Sequence, residues 1–391
     1  MFVNLAYLIN RPTGTTNYAL NLLPYLDELS PTYLAAPNIH IGDRTTVCVS
    51  QNMTAASGSI GHLRRLGWTQ FRLPSLIKKL ACSNKPISEE RTVQFFSDKA
   101  TFKTPLLFTP IPEAPLSISL PLRTRTLRSV VTFHDLIPLR FPQEFGAIKH
   151  YYRYYVPQVL KQAEKVICNS EATARDIVDF YGIAAQKLVP IPLAYDEKHF
   201  RPTATRPDCL TQLSLDGKPY FLTLGRQAPY KNTAAVIEAI AHLPDCFLLV
   251  AGPTDSRYTH TLKKLAEEKG VRSRIKFLSY VPYAQLPSLF SHAVALVFPS
   301  LWEGFGLPVL EAMACGTPVI TSNLASLPEV TGTAAYLIDP YRLDEMVAAM
   351  GAVINDSGTR EQLSVAGLER VSYFSWQKTG RATVDVLSAI A

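Results

Sequence analysis

The sequence contains no apolar run long enough to cross a membrane. A spanning helix needs about 20 consecutive, mostly apolar residues, and no stretch of the 391 residues approaches that length. The first ten residues carry no basic segment and lead directly into a predicted strand. We therefore do not expect a secretory signal. Together these absences predict a cytoplasmic protein.

Closely spaced cysteines are also absent. The six cysteines show no Cys-x-x-Cys pattern, which is the spacing typical of zinc sites and of redox motifs. We expect reduced thiols in apolar or helix-end positions rather than metal ligands or disulfides. The six are Cys48, Cys82, Cys168, Cys209, Cys246 and Cys315.

Acidic residues are scarce in the first half of the chain. Residues 1–200 carry 22 Lys and Arg against 15 Asp and Glu, whereas the remainder carries 17 of each, so the net charge of +7 belongs to the first half. No helix-turn-helix, zinc or ribonucleoprotein motif accompanies this charge, and we do not expect nucleic acid as a partner.

Basic and apolar side chains are mixed in residues 62–68 and 71–80. This composition suits an anionic membrane surface, and the alternative is a solvated helix face broken by Gly67 and Pro74. The basic residues concerned are Arg64, Arg65, Arg72, Lys78 and Lys79, with Arg123, Arg125 and Arg128 farther on. The protein would then lie peripherally at the inner membrane face.

Strands and helices are predicted to alternate in the second half of the chain, which favours a doubly wound parallel sheet. The predicted strands are residues 220–225, 246–252, 275–278, 294–298 and 318–321; the predicted helices are 234–242, 258–268, 286–290 and a helix from Leu307. The N-terminal half opens with a predicted strand at 2–8, a loop at 9–16 and a helix at 18–26. Because ligands bind such sheets beyond the carboxyl ends of the strands, motifs at those ends are candidate sites.

Two carboxylates flank a Gly-Phe-Gly turn between a predicted strand and helix. Glu303 lies in the loop at the strand's carboxyl end, and Glu311 lies on the helix just behind it. Gly304 and Gly306 allow close backbone approach, and the helix N-terminus presents N–H groups aided by its dipole. This arrangement suits a large polyhydroxyl ligand. The alternative is that Glu311 is a solvated helix residue and the turn is an ordinary connector.

This segment resembles the Glu-x7-Glu signature of the family 4 retaining glycosyltransferases. The resemblance is carried by Glu303-Gly304-Phe305-Gly306-Leu307-Pro308, by Glu311-Ala312-Met313-Ala314-Cys315-Gly316-Thr317-Pro318-Val319 and by Leu327-Pro328-Glu329-Val330. It implies a GT-B fold: an α/β protein with two Rossmann-like doubly wound domains facing a central cleft, and a C-terminal helix that crosses back to the first domain. We expect an N-terminal acceptor-side domain at 1–195, a C-terminal nucleotide-sugar domain at 196–373 and the crossover helix at 374–391.

Two further motifs resemble the same family. Gly225-Arg226-Gln227-Ala228-Pro229-Tyr230-Lys231-Asn232 matches its Gly-Arg…Lys-Asn element, in which the two cations bind the nucleotide diphosphate and stabilise it as it leaves. Alone, Arg226 and Lys231 would read as surface cations. Gly252 ends the next strand, where the family's loop lies beside the nucleotide base, although a plain turn is the alternative.

The N-terminal half carries a weaker resemblance. His134 and Asp135 end a β-branched strand and resemble the family's His-Asp at the interdomain cleft, where the histidine approaches the donor sugar; a core histidine is the alternative. Gly14 stands in the loop that approaches the leaving phosphate, but Thr16 replaces the second glycine of that loop and Asn17 replaces a frequent basic residue. Residues 38–127 match nothing identifiable, and we expect acceptor specificity there.

The resemblance implies retaining transfer of a hexosyl group, mannose or glucose, from a nucleotide sugar to a hydroxyl of a glycan or lipid-linked acceptor. The expected donor is GDP-mannose or UDP-glucose, with mannose preferred because the motifs resemble bacterial mannosyltransferases of cell-surface glycan assembly. Glu303 and the amides of Phe305, Gly306 and Leu307 would hold the sugar, and Glu311 would hold the ribose. No Asp-x-Asp triplet occurs, so we expect neither a metal nor another cofactor. A GT-B epimerase or phosphorylase and a catalytically silent nucleotide-sugar-binding module are the alternatives.

Overall fold

The computed structural model describes residues 1–9, 13–50, 53, 58–81, 104–116, 127–213, 215 and 217–391. Cys82, Arg123 and Arg125 lie outside these residues, and the side chain of Cys209 is also outside the description. Of the other cysteines, Cys168, Cys246 and Cys315 are buried free thiols, and Cys48 is an exposed one.

The first half of the chain forms a sheet of seven parallel strands in the order β3-β2-β1-β4-β5-β6-β7. Its strands are β1 (Phe2–Asn4), β2 (Thr32–Ala35), β3 (Thr46–Cys48), β4 (Leu106–Thr109), β5 (Arg128–Phe133), β6 (Lys165–Cys168) and β7 (Leu188–Pro190). Every residue of β4 is buried, as is β5 after its first residue. These strands therefore read as continuous apolar runs, which is expected of a parallel sheet covered on both faces.

The helices of this half cover both faces of the sheet. They are α1 (Gly14–Leu26), α2 (Gly58–Phe71), α3 (Leu73–Ala81), α4 (Ile137–Arg140), α5 (Ile148–His150), α6 (Val156–Gln162) and α7 (Glu171–Tyr181). A π-helical turn at Tyr151–Tyr155 joins α5 to α6.

The second half forms a sheet of six parallel strands in the order β10-β9-β8-β11-β12-β13. Its strands are β8 (Tyr220–Leu224), β9 (Phe247–Ala251), β10 (Ile275–Leu278), β11 (Ala295–Phe298), β12 (Val319–Ser322) and β13 (Tyr336–Ile338). Its helices are α8 (Asp208–Gln212), α9 (Thr233–Ile240), α10 (Thr259–Glu268), α11 (Leu286–Ser291), α12 (Leu307–Ala314), α13 (Leu327–Thr331), α14 (Leu343–Asn355) and α15 (Ser357–Val371).

The strand order reverses once in each sheet, between β1 and β4 and between β8 and β11. These are the topological switch points at which doubly wound sheets bind ligands. The last strand of the first sheet ends at Pro190 and the first strand of the second begins at Tyr220. The expected boundary at residue 195 falls in the segment between them and stays a prediction.

A final helix, α16 (Trp376–Ser388), returns to the first half and packs on α1. The approach is close: a Cβ added at Gly380 would lie 2.3 Å from the ring of Tyr25. The hydroxyl of Thr379 also donates to the Pro192 carbonyl oxygen at 2.8 Å. Two Rossmann-like sheets and a returning helix confirm the expected fold.

The predicted elements of the second half are confirmed with ends displaced by one or two residues, but the first βα unit differs. β1 has three residues, and α1 begins at Gly14 rather than at Tyr18. The cause is local, because the Thr13 side chain caps the helix by accepting a hydrogen bond from the Thr16 N–H at 3.1 Å. A Thr at the N-cap satisfies an amide that the first turn leaves free, so the helix begins earlier than predicted and includes residues 14–16 of the predicted loop.

The prediction that Arg65 belongs to an exposed membrane-binding surface is wrong. Arg65 is buried, and its guanidinium donates to both carboxylate oxygens of Glu113 at 2.7 and 2.8 Å and to the Met53 carbonyl oxygen. Arg65 therefore serves the interior and is not available to a membrane. Within the described ranges, no helix has both the length and the apolar character needed to cross a bilayer.

Candidate active site

The loops after β8 and β11 meet at the switch point of the second sheet. Lys231 follows β8 and Glu303 follows β11, and the Lys231 Nζ lies 2.5 Å from the Glu303 Oε1. Their side chains are only 16% and 10% exposed. The Leu301 N–H donates to the Tyr230 carbonyl oxygen at 2.7 Å, which ties the two loops together beside the ion pair.

Arg226 stands at the open side of this pair. Its side chain is 53% exposed, and its Nε lies 3.6 Å from the Asp255 Oδ2. Arg257 also binds Asp255, at 2.7 Å. The hydrogen bonds from Arg257, together with the nearby Arg226, lower the pKa of Asp255 to about 2. Arg226 is thus oriented by a carboxylate while its other donors remain open to an anion.

The carboxyl ends of β8 and β9 are packed directly against each other. A Cβ added at Gly252 would lie 2.0 Å from the Gly225 carbonyl oxygen, so only glycine fits at this position. The structure accordingly gives Gly252 a packing role. Contact between Gly252 and a nucleotide base stays a prediction.

The turn between β11 and α12 is held from beneath by Ser326. The Ser326 Oγ hydrogen bonds to the carbonyl oxygens of Glu303 and Phe305 at 3.0 and 2.9 Å. The Phe305 ring is buried and lies edge-on to Phe374, with ring centroids 5.9 Å apart. Gly306 has φ of 103° and precedes Leu307, the first residue of α12. The ring of Phe305 therefore belongs to the core, and only the backbone of this turn can serve a ligand.

Gly304 brings this turn into contact with the first half of the chain. A Cβ added at Gly304 would lie 2.0 Å from the His134 carbonyl oxygen. The Ser170 Oγ donates to the Gly304 carbonyl oxygen at 2.7 Å, and the Thr173 Oγ1 lies 3.2 Å from it. The Glu303 loop is therefore seated on the carboxyl ends of β5 and β6.

His134 and Asp135 lie across the cleft from Glu303. The His134 Nε2 donates a hydrogen bond to the Pro110 carbonyl oxygen at 3.0 Å, and burial lowers the pKa of His134. The imidazole is thus neutral with Nδ1 as an acceptor. The Asp135 Oδ1 accepts from the Ile137 N–H at 3.0 Å, and burial is the main cause that raises the pKa of Asp135 to about 6.

Glu311 lies apart from the ion pair, at a cavity of about 170 Å³ between the two halves of the chain. Gly14 and Leu307 also line this cavity, as do Tyr18, Tyr195 and Trp376. Burial raises the pKa of Glu311 to about 7. Hydrogen bonds from hydroxyl groups of a ligand would stabilise the ionised form of this buried carboxylate.

The structure thus groups the residues singled out from the sequence into two places. Arg226, Lys231, Glu303 and Gly304 lie with His134 and Asp135 at one end of the cleft, while Glu311, Leu307 and Gly14 line the cavity. In the part of the chain that the structure describes, no group of three or more His, Cys, Asp or Glu side chains is placed to hold a metal ion.

Several residues at this site were missed by the sequence argument. Ser326, Asp255 and Trp302 support it from positions that match no quoted motif, and Asp176 and Arg140 reach it from the other half of the chain. The only signal in the sequence was that Trp302 directly precedes Glu303.

Family models match two parts of the chain. The model described as glycosyl transferases group 1 matches residues 211–370, and the model described as glycosyltransferase family 4 matches residues 107–199. The first match covers the second sheet with the ion pair, and the second contains His134 and Asp135.

Individual proteins agree with the models. The O-antigen chain mannosyltransferase B of Escherichia coli is 31% identical over 267 residues, which are 67% of this chain and 70% of that protein. The O-antigen chain mannosyltransferase RfbU of Salmonella typhimurium is 26% identical over 87% of both chains. The sucrose-phosphate synthase structure from Thermosynechococcus elongatus superimposes with a TM-score of 0.72 at 21% identity, covering 100% of this chain and 98% of that one. At this identity the structural likeness concerns the fold.

Proposed function

The chain belongs to the group 1 glycosyl transferases of glycosyltransferase family 4, and from this membership we propose that it moves a mannosyl group from GDP-mannose, with retention, to a hydroxyl of a cell-surface glycan or its lipid-linked precursor. Hexosyl transfer from a nucleotide sugar follows from the family itself. Mannose, the guanine base and the acceptor are the finer part of the proposal. Mannose and a cell-surface glycan acceptor are supported by the similarity to the two O-antigen mannosyltransferases. The guanine base is proposed from the resemblance of the motifs. UDP-glucose is the alternative donor.

The observation that carries the proposal is the Lys231–Glu303 ion pair at the switch point, with Arg226 beside it. An ammonium has three donors, so Lys231 can keep its 2.5 Å contact with Glu303 and still bind a phosphate oxygen. Arg226 adds a planar guanidinium that can contact two oxygens of the diphosphate. These cations would stabilise the charge that develops on the diphosphate as it leaves.

In this proposal the two carboxylates bind different parts of the donor. Glu303, beside the cations, would hold hydroxyls of the transferred hexose with the amides of Phe305, Gly306 and Leu307. Glu311, at the cavity, would accept hydrogen bonds from the ribose hydroxyls. His134 would face the hexose from the first domain, and Asp135 would position the turn next to it. His134 and Glu303 would therefore contact the same hexose only when the two domains are close together.

The proposed reaction proceeds on one face of the sugar. The acceptor oxygen bonds to the anomeric carbon as the bond to the diphosphate oxygen breaks, and the leaving diphosphate takes the acceptor's proton. Glu303 is already paired with Lys231, which suits a carboxylate that stabilises positive charge on the sugar rather than one that attacks it. No metal is needed in this scheme, because Arg226 and Lys231 supply the positive charge.

A donor panel tests the proposal. We expect GDP-mannose, among GDP-mannose, UDP-glucose, UDP-galactose and UDP-N-acetylglucosamine, to raise the melting temperature and to be hydrolysed slowly. Lys231→Ala should lower donor turnover about 100-fold or more because one preorganised charge is lost. The surface variant Lys264→Ala serves as the control, since the Lys264 side chain is 66% exposed and pairs only within α10. If donors bind but none of them is hydrolysed, the result would favour a catalytically silent binding module. If the nucleotide sugar is converted to its epimer without an acceptor, the result would favour an epimerase.

The membrane proposal rests on the exposed face of α2 and α3. Three large apolar side chains, Ile60, Leu63 and Phe71, are 62%, 66% and 69% exposed there. They stand beside the exposed basic residues Arg64, Arg72, Lys78 and Lys79. An apolar face rimmed by cations is suited to insertion at an anionic membrane surface. We propose that this face places the protein at the inner membrane surface, where a lipid-linked acceptor would be found.

Co-sedimentation with vesicles tests this surface. We expect binding to vesicles that contain phosphatidylglycerol, with a decrease as salt rises, because exposed charges are screened. Phe71→Ser with Lys78→Glu and Lys79→Glu should abolish it. The matched control is Lys264→Glu on α10 with Lys269→Glu just after this helix, which changes the net charge by the same amount as the two lysine substitutions. Equal binding by the two variants, or none by the wild type, would contradict the proposal.

A further inference from the structure

Trp302, the residue before Glu303, makes its polar contact outside its own domain. Its indole Nε1 donates to the Asp176 Oδ2 at 2.9 Å, and Asp176 lies on α7 of the first domain. The guanidinium carbon of Arg140 lies 3.4 Å from the centre of the Trp302 ring. A cation held against the face of a tryptophan is attracted by the ring quadrupole, so the indole is bound at both its edge and its face.

The two residues that receive Trp302 are themselves paired. Arg140 donates to the Asp176 Oδ1 at 2.5 Å and to its Oδ2 at 3.2 Å. Asp176 is only 2% exposed although it lies on a helix. A buried carboxylate is costly unless it is paired and hydrogen bonded. The Asp176 carboxylate has one partner in each domain, Arg140 in the first and Trp302 in the second. It has all of these hydrogen bonds only when Trp302 is in contact with it.

The same indole contacts the loop that carries Lys231. Trp302 packs against a buried cluster made of Ala228 and Tyr230, which precedes Lys231, and of Ile137 of the first domain. Phe141 and Phe145 of the first domain pack against the same cluster. On the other side of Glu303, the Gly304 carbonyl oxygen accepts hydrogen bonds from Ser170 and Thr173. Glu303 is therefore bracketed in the chain by two interdomain contacts.

We propose that Asp176, Arg140 and Trp302 form a latch through which closure of the two domains positions Glu303 and Lys231 for transfer. The inference rests on the proposed function for its chemistry. Asp176 and Arg140 are positioning residues, since they touch Trp302 and not the donor. When the domains separate, the indole leaves its buried acceptor, and the loop after β11 loses the contact that fixes its carboxylate.

The latch predicts a division between binding and turnover. Donor binding depends on groups of the second domain that the latch does not contact, such as Glu311 and Arg226, so the donor dissociation constant should change less than about twofold. Turnover depends on the exact placement of Glu303, and misplacement of about 1 Å can lower a rate about 100-fold. We therefore expect Trp302→Phe and Asp176→Asn to lower kcat about 10- to 100-fold with little change in donor KM.

A double-variant cycle separates the latch from simple loss of packing. Trp302→Phe with Asp176→Asn should lower kcat by less than the product of the two single effects, because Phe removes the donor of this hydrogen bond and Asn removes the charge and one acceptor oxygen of its partner. Phe277→Leu is the packing control, because Phe277 lies on the edge strand β10 and packs against the core of the second domain. Additive losses, or equal losses of kcat and donor affinity, would overturn the proposal.

Hydrogen exchange provides a readout that needs no donor. The amides of residues 300–307 should exchange about tenfold faster in Asp176→Asn and Trp302→Phe than in the wild type, because the loop then opens more often. Phe277→Leu should leave them unchanged. If exchange in this loop is unaffected by both variants, the latch is wrong whatever the donor; if exchange rises but the wild type turns over no nucleotide sugar, it is the proposed function that fails.

Discussion

At the scale of single residues, the two glutamates of the Glu-x7-Glu motif have different environments. Glu303 has a cation at 2.5 Å, whereas burial raises the pKa of Glu311 to about 7. The nearby Tyr283 has its own pKa raised chiefly by burial, with Asp196 and Glu311 adding to the effect. One motif therefore supplies one carboxylate that is paired with a cation and one whose pKa is raised by burial.

This difference predicts a pH dependence of donor binding. Hydroxyl donors favour the ionised form of Glu311, so binding must release its proton at low pH. We expect the affinity for GDP-mannose to rise about tenfold between pH 6 and pH 8, measured by calorimetry. Glu311→Gln should bind more weakly at pH 8 and with little pH dependence. A wild-type affinity that does not change over this range would contradict the assignment of Glu311 to the ribose.

The same titration predicts the sign of a stability change. Because the folded-state pKa of about 7 lies above the ordinary glutamate value of 4.5, the folded protein binds the extra proton between these pH values. Its free energy of unfolding therefore falls as pH rises from about 4.5 to 7. Without donor, Glu311→Gln should be more stable than the wild type by about 1–3 kcal/mol at pH 8 and equal to it near pH 4.5. Urea titrations at the two pH values measure this.

At the scale of elements, the turn between β11 and α12 matters because of what it touches. It contacts the ends of β5 and β6 through Gly304, and Ser326 at the start of α13 holds it from below. Glu329 of α13 adds a further contact, since it accepts from the Glu171 N–H at the start of α7 at 2.9 Å. A strand-turn-helix unit of the second domain thus carries much of the interdomain contact.

Gly304→Ala tests how closely this turn must approach the first domain. The added methyl would lie 2.0 Å from the His134 carbonyl oxygen, so the two elements must move apart. We expect transfer to fall about 100-fold because the reacting groups are displaced, and small-angle scattering to show a larger radius of gyration. The control is Gly351→Ala in α14, where the nearest atom is an ordinary contact at 3.9 Å. Gly304→Ala with wild-type kinetics would show that this approach is not required.

At the scale of the whole molecule, α16 joins the two domains a second time. It follows α15 of the second domain and packs on α1 of the first, and Arg381 pairs with Glu28 at 2.7 Å. Trp376 at its start also lines the cavity that contains Glu311. The crossover helix therefore fixes the spacing of the domains and forms part of one wall of the candidate site.

Gly380→Ala tests that packing against a matched substitution. The added Cβ would lie 2.3 Å from the Tyr25 ring, and overpacking of this kind costs about 1–3 kcal/mol of unfolding free energy. Gly67→Ala in α2 meets no atom within 4 Å, so it should instead raise the unfolding free energy by up to about 1 kcal/mol. Urea denaturation of the two variants measures the contrast. Equal effects would mean that α16 is not tightly packed on α1.

The sequence by itself determined the alternation of strands and helices, the position of the Gly-Phe-Gly turn and the residue types around it. It could do so because periodicity, capping and turn preferences are local properties. Five of the six strands of the second sheet were therefore predicted to within a residue or two, whereas β13 was not predicted. The start of α1 was missed because Thr13 supplied an unrecognised cap.

Tertiary structure decided what the motif residues contact. Lys231 pairs with a carboxylate 72 residues away and Trp302 with one 126 residues away, and no local pattern encodes such pairs. The tertiary structure also buries Arg65, and burial raises the pKa of Glu311. Burial and pairing depend on which distant segments the fold packs together, and these set the cost of each charge.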